Sequence, residues 1–126
     1  MMDSHTQKDT KLLMVVEDDP AVSQLLEMMI AREGYEVILA SNGQEAMSIL
    51  NERNNTISMV VTDISMPDMN GDDLIVQLGK NYPKLPVLVL TGHDITENEN
   101  AKNVVDVLRK PFRSSSLIER IKLALV

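Results

Sequence analysis

A chain of 126 residues with 19 acidic and 12 basic side chains, a formal charge of −7, two Tyr, one Phe, no Trp and no Cys fits one domain that buries an aliphatic core without disulfides or a structural metal, and is expected to leave no room for a second folded module. The missing cysteines exclude thiol catalysis, Cys-ligated zinc and disulfide scaffolding, and agree with a reducing compartment. An acidic balance with no basic stripe and few aromatics argues against direct contact with nucleic acid. Met1 to Thr10 is polar and lacks the apolar core of a signal peptide, so residues 1–10 read as a leader ahead of a domain over 11–126. Apolar runs are too short to span a bilayer, and the expectation is a soluble, cytoplasmic protein with no membrane insertion. The nine Met read as core filler.

Leu12 to Val16 is an apolar run between Lys11 and the acids Glu17, Asp18 and Asp19, the pattern of a strand buried on both faces. Asp19-Pro20 supplies an N-cap and a proline at the first helical position, Val22, Leu25, Leu26, Met29 and Ile30 recur at helical spacing, and Gly34 closes the helix. Val37 to Ala40 is a second strand. The overlapping pairs Ser41/Gln44 and Asn42/Glu45 both match a capping box opening a helix whose apolar face is Ala46, Ile49 and Leu50.

Ile57 to Thr62 is the third strand. Asp72 and Asp73 favour a helix start, Leu74, Ile75 and Leu78 form its buried side, and Pro83 and Pro86 bracket its exit. Val87 to Leu90 is the clearest strand. Thr96 to Asn103 supports only a short, polar helix. Val104 to Leu108 supplies a fifth strand, reduced to its last few residues, and Ser116/Glu119 match another capping box for a closing helix with Leu117, Ile121, Ala124 and Leu125 along one side. This alternation of strand and helix predicts an α/β three-layer sandwich: a five-stranded parallel sheet with helices on both faces.

The polar residues collect at the strand ends: Glu17, Asp18 and Asp19 after the first, Asp63 after the third, Thr91 after the fourth, Lys110 after the fifth. Asp63 ends an apolar run and precedes the loop marked by Pro67 and Gly71, which places it where open α/β sheets gather ligands, although capping the next turn is a second role open to it. If the strands lie in the order 2-1-3-4-5, these ends are neighbours. Crowded carboxylates repel one another and a hard divalent cation relieves the repulsion, so Glu17, Asp18 and Asp63 could hold Mg²⁺ beside a phosphoryl group. The Lys110 ammonium could pair with phosphoryl oxygens and the Thr91 hydroxyl could donate to one. Singly, each residue has a plainer role: a lysine at a turn, a threonine as a local cap, Glu-Asp-Asp as a helix start.

Together these residues carry a resemblance. Val15-Val16-Glu17-Asp18-Asp19 is similar to the acidic pocket of response-regulator receiver domains, the phosphoacceptor modules of two-component signalling. Asp63-Ile64-Ser65-Met66-Pro67 through Gly71 is similar to their phosphorylation loop, Thr91-Gly92 to their hydroxyl position, and Lys110-Pro111-Phe112 to their basic signature; the likeness runs from Lys11 to Val126. It supplies the flavodoxin-like order 2-1-3-4-5. It also implies that Asp63 takes a phosphoryl group from a phosphohistidine on a histidine kinase or phosphotransfer protein. Glu17, Asp18, the Asp63 carboxylate and the backbone carbonyl of Ser65 would ligate Mg²⁺, and Thr91 and Lys110 would read the phosphate. Thr91 would swing inward on phosphorylation and remodel the surface of the fourth and fifth strands and helices, so that a downstream effector protein receives the signal, as for stand-alone receivers. By the same resemblance Lys110-Pro111 is cis, and Ser65 and His93 border the path of the attacking water. Oligomeric state stays open.

Two departures stand out. Val107 occupies the position where the family often has Tyr or Phe, so an aromatic rotamer switch is absent there. The interval from Thr91 to Lys110 is shorter than the family's, and the usual glycine before the fifth strand is missing, which predicts an irregular fourth helix and a different output surface. Two other readings compete. A Mg²⁺-dependent aspartyl phosphohydrolase of the haloacid-dehalogenase type needs a second acid two residues after its nucleophile, where this chain has Ser65. A receiver-fold binding module that never turns over phosphate is the other. No G-x-x-x-x-G-K-[ST] or G-x-G-x-x-G loop occurs.

Overall fold

The computed structural model describes residues 10–53, 56–64, 71–92 and 103–125, with the backbone alone for 71–73. Residues 1–9 of the leader, the stretch from Ser65 to Asn70, His93 and the polar segment from Thr96 to Lys102 lie outside the described residues. Among the described residues the elements are β1 (Leu12–Val16), α1 (Pro20–Ala31), β2 (Glu36–Ala40), α2 (Gly43–Arg53), β3 (Ile57–Asp63), α3 (Gly71–Asn81), β4 (Val87–Thr91), β5 (Val104–Arg109) and α4 (Ser114–Ala124). The five strands are all parallel in the order β2-β1-β3-β4-β5.

The side-chain period of two splits the apolar residues between the sheet's faces. Met14, Val16, Val60, Val87 and Val89 join Ala46 and Leu50 of α2 and Leu74, Ile75 and Leu78 of α3 in one core. Leu13, Val15, Met59, Val61, Leu88 and Leu90 join Leu26 and Ile30 of α1 and Leu117, Ile118 and Ile121 of α4 in the other. The near-continuous apolar runs of β1, β3 and β4 follow from burial on both faces. Met14 and Met59 fill core space as expected, whereas Met28 and Leu25, read as part of an apolar stripe in the latter case, are exposed on α1.

Local signals set most boundaries. Asp19 is extended and its carboxylate accepts from the Ala21 N–H at 2.9 Å, with Pro20 at the first helical position. After α1 the Gly34 N–H reaches the Ala31 carbonyl at 3.0 Å and Gly34 takes φ +98°, a left-handed conformation that glycine adopts at little cost. At α2, Asn42 Oδ1 accepts from the Glu45 N–H at 2.7 Å, and the Glu45 carboxylate accepts from both the N–H and the hydroxyl of Ser41. These bonds hold the Glu45 carboxyl below its usual range. The Asn42/Glu45 pair is therefore the one used, closing on Ser41. Replacing Asp19 with Ala is expected to cost about 1 kcal/mol through loss of the α1 cap, read as a lower urea midpoint with unchanged slope.

Two expectations are corrected. Ser116/Glu119 form no capping box: α4 starts at Ser114, Arg113 stands at the cap without a side-chain hydrogen bond, and Ser116 lies in the first turn. The chain leaving β5 through Pro111 and Phe112 enters the helix ahead of all three serines, which fall within its first turn. The fifth strand runs the full span from Val104 to Arg109, since pairing with β4 overrides its weak start. Where a glycine was missed before β5, buried Asn103 donates from Nδ2 to the Leu85 carbonyl at 3.1 Å and accepts the Val87 N–H at 2.8 Å. Gly79 leaves room for it, as a Cβ there would stand 3.3 Å from Asn103 Oδ1.

Candidate functional site

From β1 the chain crosses to β2 on one side, and from β3 to β4 on the other, so the carboxyl ends of β1 and β3 flank the point where the winding reverses. Open parallel sheets form their ligand crevice at that point. Glu17 follows β1 and is held there by its N–H on the Ala40 carbonyl at 3.0 Å; Asp63 is the last residue of β3, and the next N–H, of Ile64, bonds Leu90. Glu17 and Asp63 are each only 4% exposed, and Thr91, the last residue of β4, only 1%.

Lys110 ties the far side of the crevice to its centre. Its N–H donates to the Thr91 carbonyl at 2.7 Å, which keeps it in register with the end of β4. Its Nζ donates to Asp63 Oδ2, and the side chain is 33% exposed against 5% for Asp63. The Lys110-Pro111 peptide is cis.

The acids are as crowded as the strand ends suggested. Burial, and after it the neighbouring carboxylates of Asp63 and Asp18, push the Glu17 carboxyl up to about 7, against the opposing bond from the Asp19 N–H. That bond, 3.1 Å long, satisfies Glu17 Oε2. Glu17 Oε1 is buried with no donor. An acceptor among acceptors requires a proton or a cation, and hard carboxylate oxygens suit Mg²⁺. Among the described residues the acids do not converge into a cage of three ligands. Magnesium takes few protein ligands and keeps several waters, so this open arrangement fits it. Asp18 borders an adjoining hollow of about 280 Å³ with Glu17, Ser41 and Glu45.

The sequence-derived set Glu17, Asp18, Asp63 and Lys110 is thus brought together at one sheet end, with Thr91 buried beside it; Ser65, assigned a backbone carbonyl ligand, is outside the described residues. Arg109 is in register with Thr91 and exposed.

A parallel α/β protein with an acid pair, an aspartate and a lysine at its switch point is the class these features define. Residues 13–122 match the family model of the response regulator receiver domain, and the chain belongs to that family. It is 33% identical over 116 residues to the transcriptional regulatory protein GlrR of Escherichia coli, an alignment covering 90% of this chain and 26% of that protein. With the CpxR homolog of Haemophilus influenzae it shares 36% over 113 residues, 87% of this chain and 48% of that protein. The chain therefore spans half or less of these relatives. Among solved structures, a response regulator receiver domain protein from Clostridium thermocellum superposes with a TM-score of 0.81 at 30% identity, covering 91% of this chain and 94% of that one. A CheY-like receiver domain protein from Methanospirillum hungatei gives 0.83 at 28%, covering 93% and 94%. Among the described residues no helix is long and apolar enough to cross a membrane.

Proposed function

We propose that this receiver domain accepts a phosphoryl group on Asp63 from a phosphohistidine of a histidine kinase or histidine phosphotransfer protein and signals to a downstream effector protein. The observation that carries the reading is the Lys110 ammonium bonded to a buried Asp63 carboxylate beside Glu17, whose Oε1 lacks a donor. An Asp63 oxygen forms the new P–O bond as the P–N bond to the donor imidazole breaks, and the imidazole keeps the electron pair. Lys110 Nζ, already on Asp63 Oδ2, moves onto the arriving phosphoryl oxygens and offsets their charge. Thr91 would offer its hydroxyl from the end of β4. Glu17, Asp18, Asp63 and the Ser65 carbonyl would hold Mg²⁺, which when bound screens the like charges of carboxylate and phosphate.

The domain would catalyse only its own phosphorylation and dephosphorylation. A cytoplasmic location and protein partners rather than direct nucleic-acid contact fit this role, and the acidic balance of the chain supports the second. Relatives whose names mention transcription extend well beyond the stretch matched here.

Incubation with acetyl phosphate and Mg²⁺ is expected to give one labile phosphate by intact mass, absent with EDTA and absent in Asp63→Asn. No adduct under any condition would overturn the reading in favour of a phosphate-independent binding module. Continuous phosphate release from many phosphomonoesters would overturn it in favour of a hydrolase.

A further inference from the structure

The outer edge of the sheet carries an arrangement that phosphoryl transfer does not use. β5 is the last strand in the order, and its sequence Val104-Val105-Asp106-Val107-Leu108-Arg109 is an apolar, largely β-branched run broken by a single acid. Val105 is 49% exposed. Among the described residues no strand pairs with its outer edge, and a strand of this composition at such an edge is a template for another chain, because half of its N–H and C=O groups face outward.

The Lys110 N–H points inward to Thr91. Direction alternates along a strand, so Leu108 points inward with it while Val107 and Arg109 present their N–H groups to the outside. The outward N–H of Val107 is engaged by the preceding residue's own side chain: it donates to Asp106 Oδ1 at 2.8 Å. The other oxygen, Oδ2, accepts from Arg120 Nη1 of α4 at 2.7 Å, and this ion pair is about two-thirds shielded on both sides. The helix therefore anchors the carboxylate in its capping position. The register with β4 also slips between Val104 and Asp106, so Val105 has no partner residue on β4 and the strand is locally irregular.

We propose that Asp106 closes the open edge of β5 against strand addition by a second copy of this chain, using one carboxylate oxygen to occupy the Val107 N–H and the other to fix itself to Arg120. The occupant excluded is a second copy because the run Val104 to Leu108 is self-complementary in its apolar character, and a single acid opposite its own image repels it. Lys110 directly follows β5, so on the proposed function an edge left open to pairing would hold still the strand that carries the lysine toward the phosphate. Partners are then met through side chains of β5 and α4, not through main-chain pairing.

Sedimentation velocity across a concentration series, run beside amide exchange in dilute solution, tests this. Asp106→Val is expected to self-associate at a concentration about tenfold or more below any association of the wild type, and its Val107 amide is expected to exchange about tenfold faster when dilute. Adding Val105→Lys, a charge on the same edge, is expected to restore the wild-type sedimentation. Asp106→Asn keeps an acceptor for Val107 and is expected to associate less than Asp106→Val. Should Asp106→Val not fold, Asp106→Ala takes its place in the same comparison. Wild-type sedimentation and unchanged Val107 exchange in the Val or Ala variant would overturn the proposal, as would association that Val105→Lys leaves untouched.

Discussion

Lys110→Met is expected to slow phosphorylation of Asp63 by acetyl phosphate about 100-fold or more, the scale on which a preorganised charge acts on a developing one. The lysine Nζ sits on Asp63 Oδ2, and the Asp63 side chain is 5% exposed. Without the ammonium, the charge of the arriving phosphoryl oxygens meets the acidic crevice with one fixed positive group fewer to offset it. Lys110→Arg keeps the charge but replaces a compact ammonium with a planar fork, and is expected to retain an intermediate rate. Initial rates by intact mass, at saturating Mg²⁺, provide the check. A rate within threefold of wild type in Lys110→Met would mean that the lysine only restrains the resting carboxylate.

How much of this was readable before the coordinates depended on the range of the interactions. Asp19-Pro20, Gly34 and the Asn42/Glu45 pair act within a few residues, and each does locally what its chemistry dictates. The apolar runs of β1, β3 and β4 announce burial on both faces. By contrast, nothing within the chain alone states that β1 lies between β2 and β3; that order came with the family likeness, and it alone brings Glu17 beside Asp63. The same limit hid Asp106 and Arg120, an ordinary acid and an ordinary base until a strand and a helix are packed together. Leu25 misled because helical periodicity cannot tell the margin of an apolar stripe from its centre. Ser116 misled because tertiary context started the helix at Ser114, with Arg113 at the cap and no serine used there.

Glu17→Gln is expected to separate two roles of the acidic crevice: the cost of a buried carboxyl in the metal-free fold, and the proposed holding of the cation. In the native state this carboxyl is pushed up to about 7 from an ordinary 4.5, burial being the first cause and the carboxylates of Asp63 and Asp18 the next. Between those two pH values the folded protein binds more protons at this position than the unfolded chain. Its contribution to stability is therefore complete below about pH 4.5 and lost as pH rises through about 7, an effect on the order of 2 kcal/mol. Gln does not titrate, and its amide N–H groups can donate to the neighbouring carboxylates. Metal-free Glu17→Gln should accordingly be more stable than wild type at pH 8, by about 5 °C in Tm, with the difference vanishing near pH 5. In the proposed site magnesium would compete with that same proton, so stabilisation of the wild type by millimolar Mg²⁺ is expected to be large at pH 8, small at pH 5.5 and mostly absent at either pH in Glu17→Gln. The difference between the two proteins, followed by thermal unfolding from pH 5 to 8 with EDTA or Mg²⁺, cancels the contributions of acids that do not interact with Glu17. A flat difference curve in EDTA would show that Glu17 is already ionised at neutral pH in the fold, and an undiminished Mg²⁺ response in Glu17→Gln would remove it from the cation site.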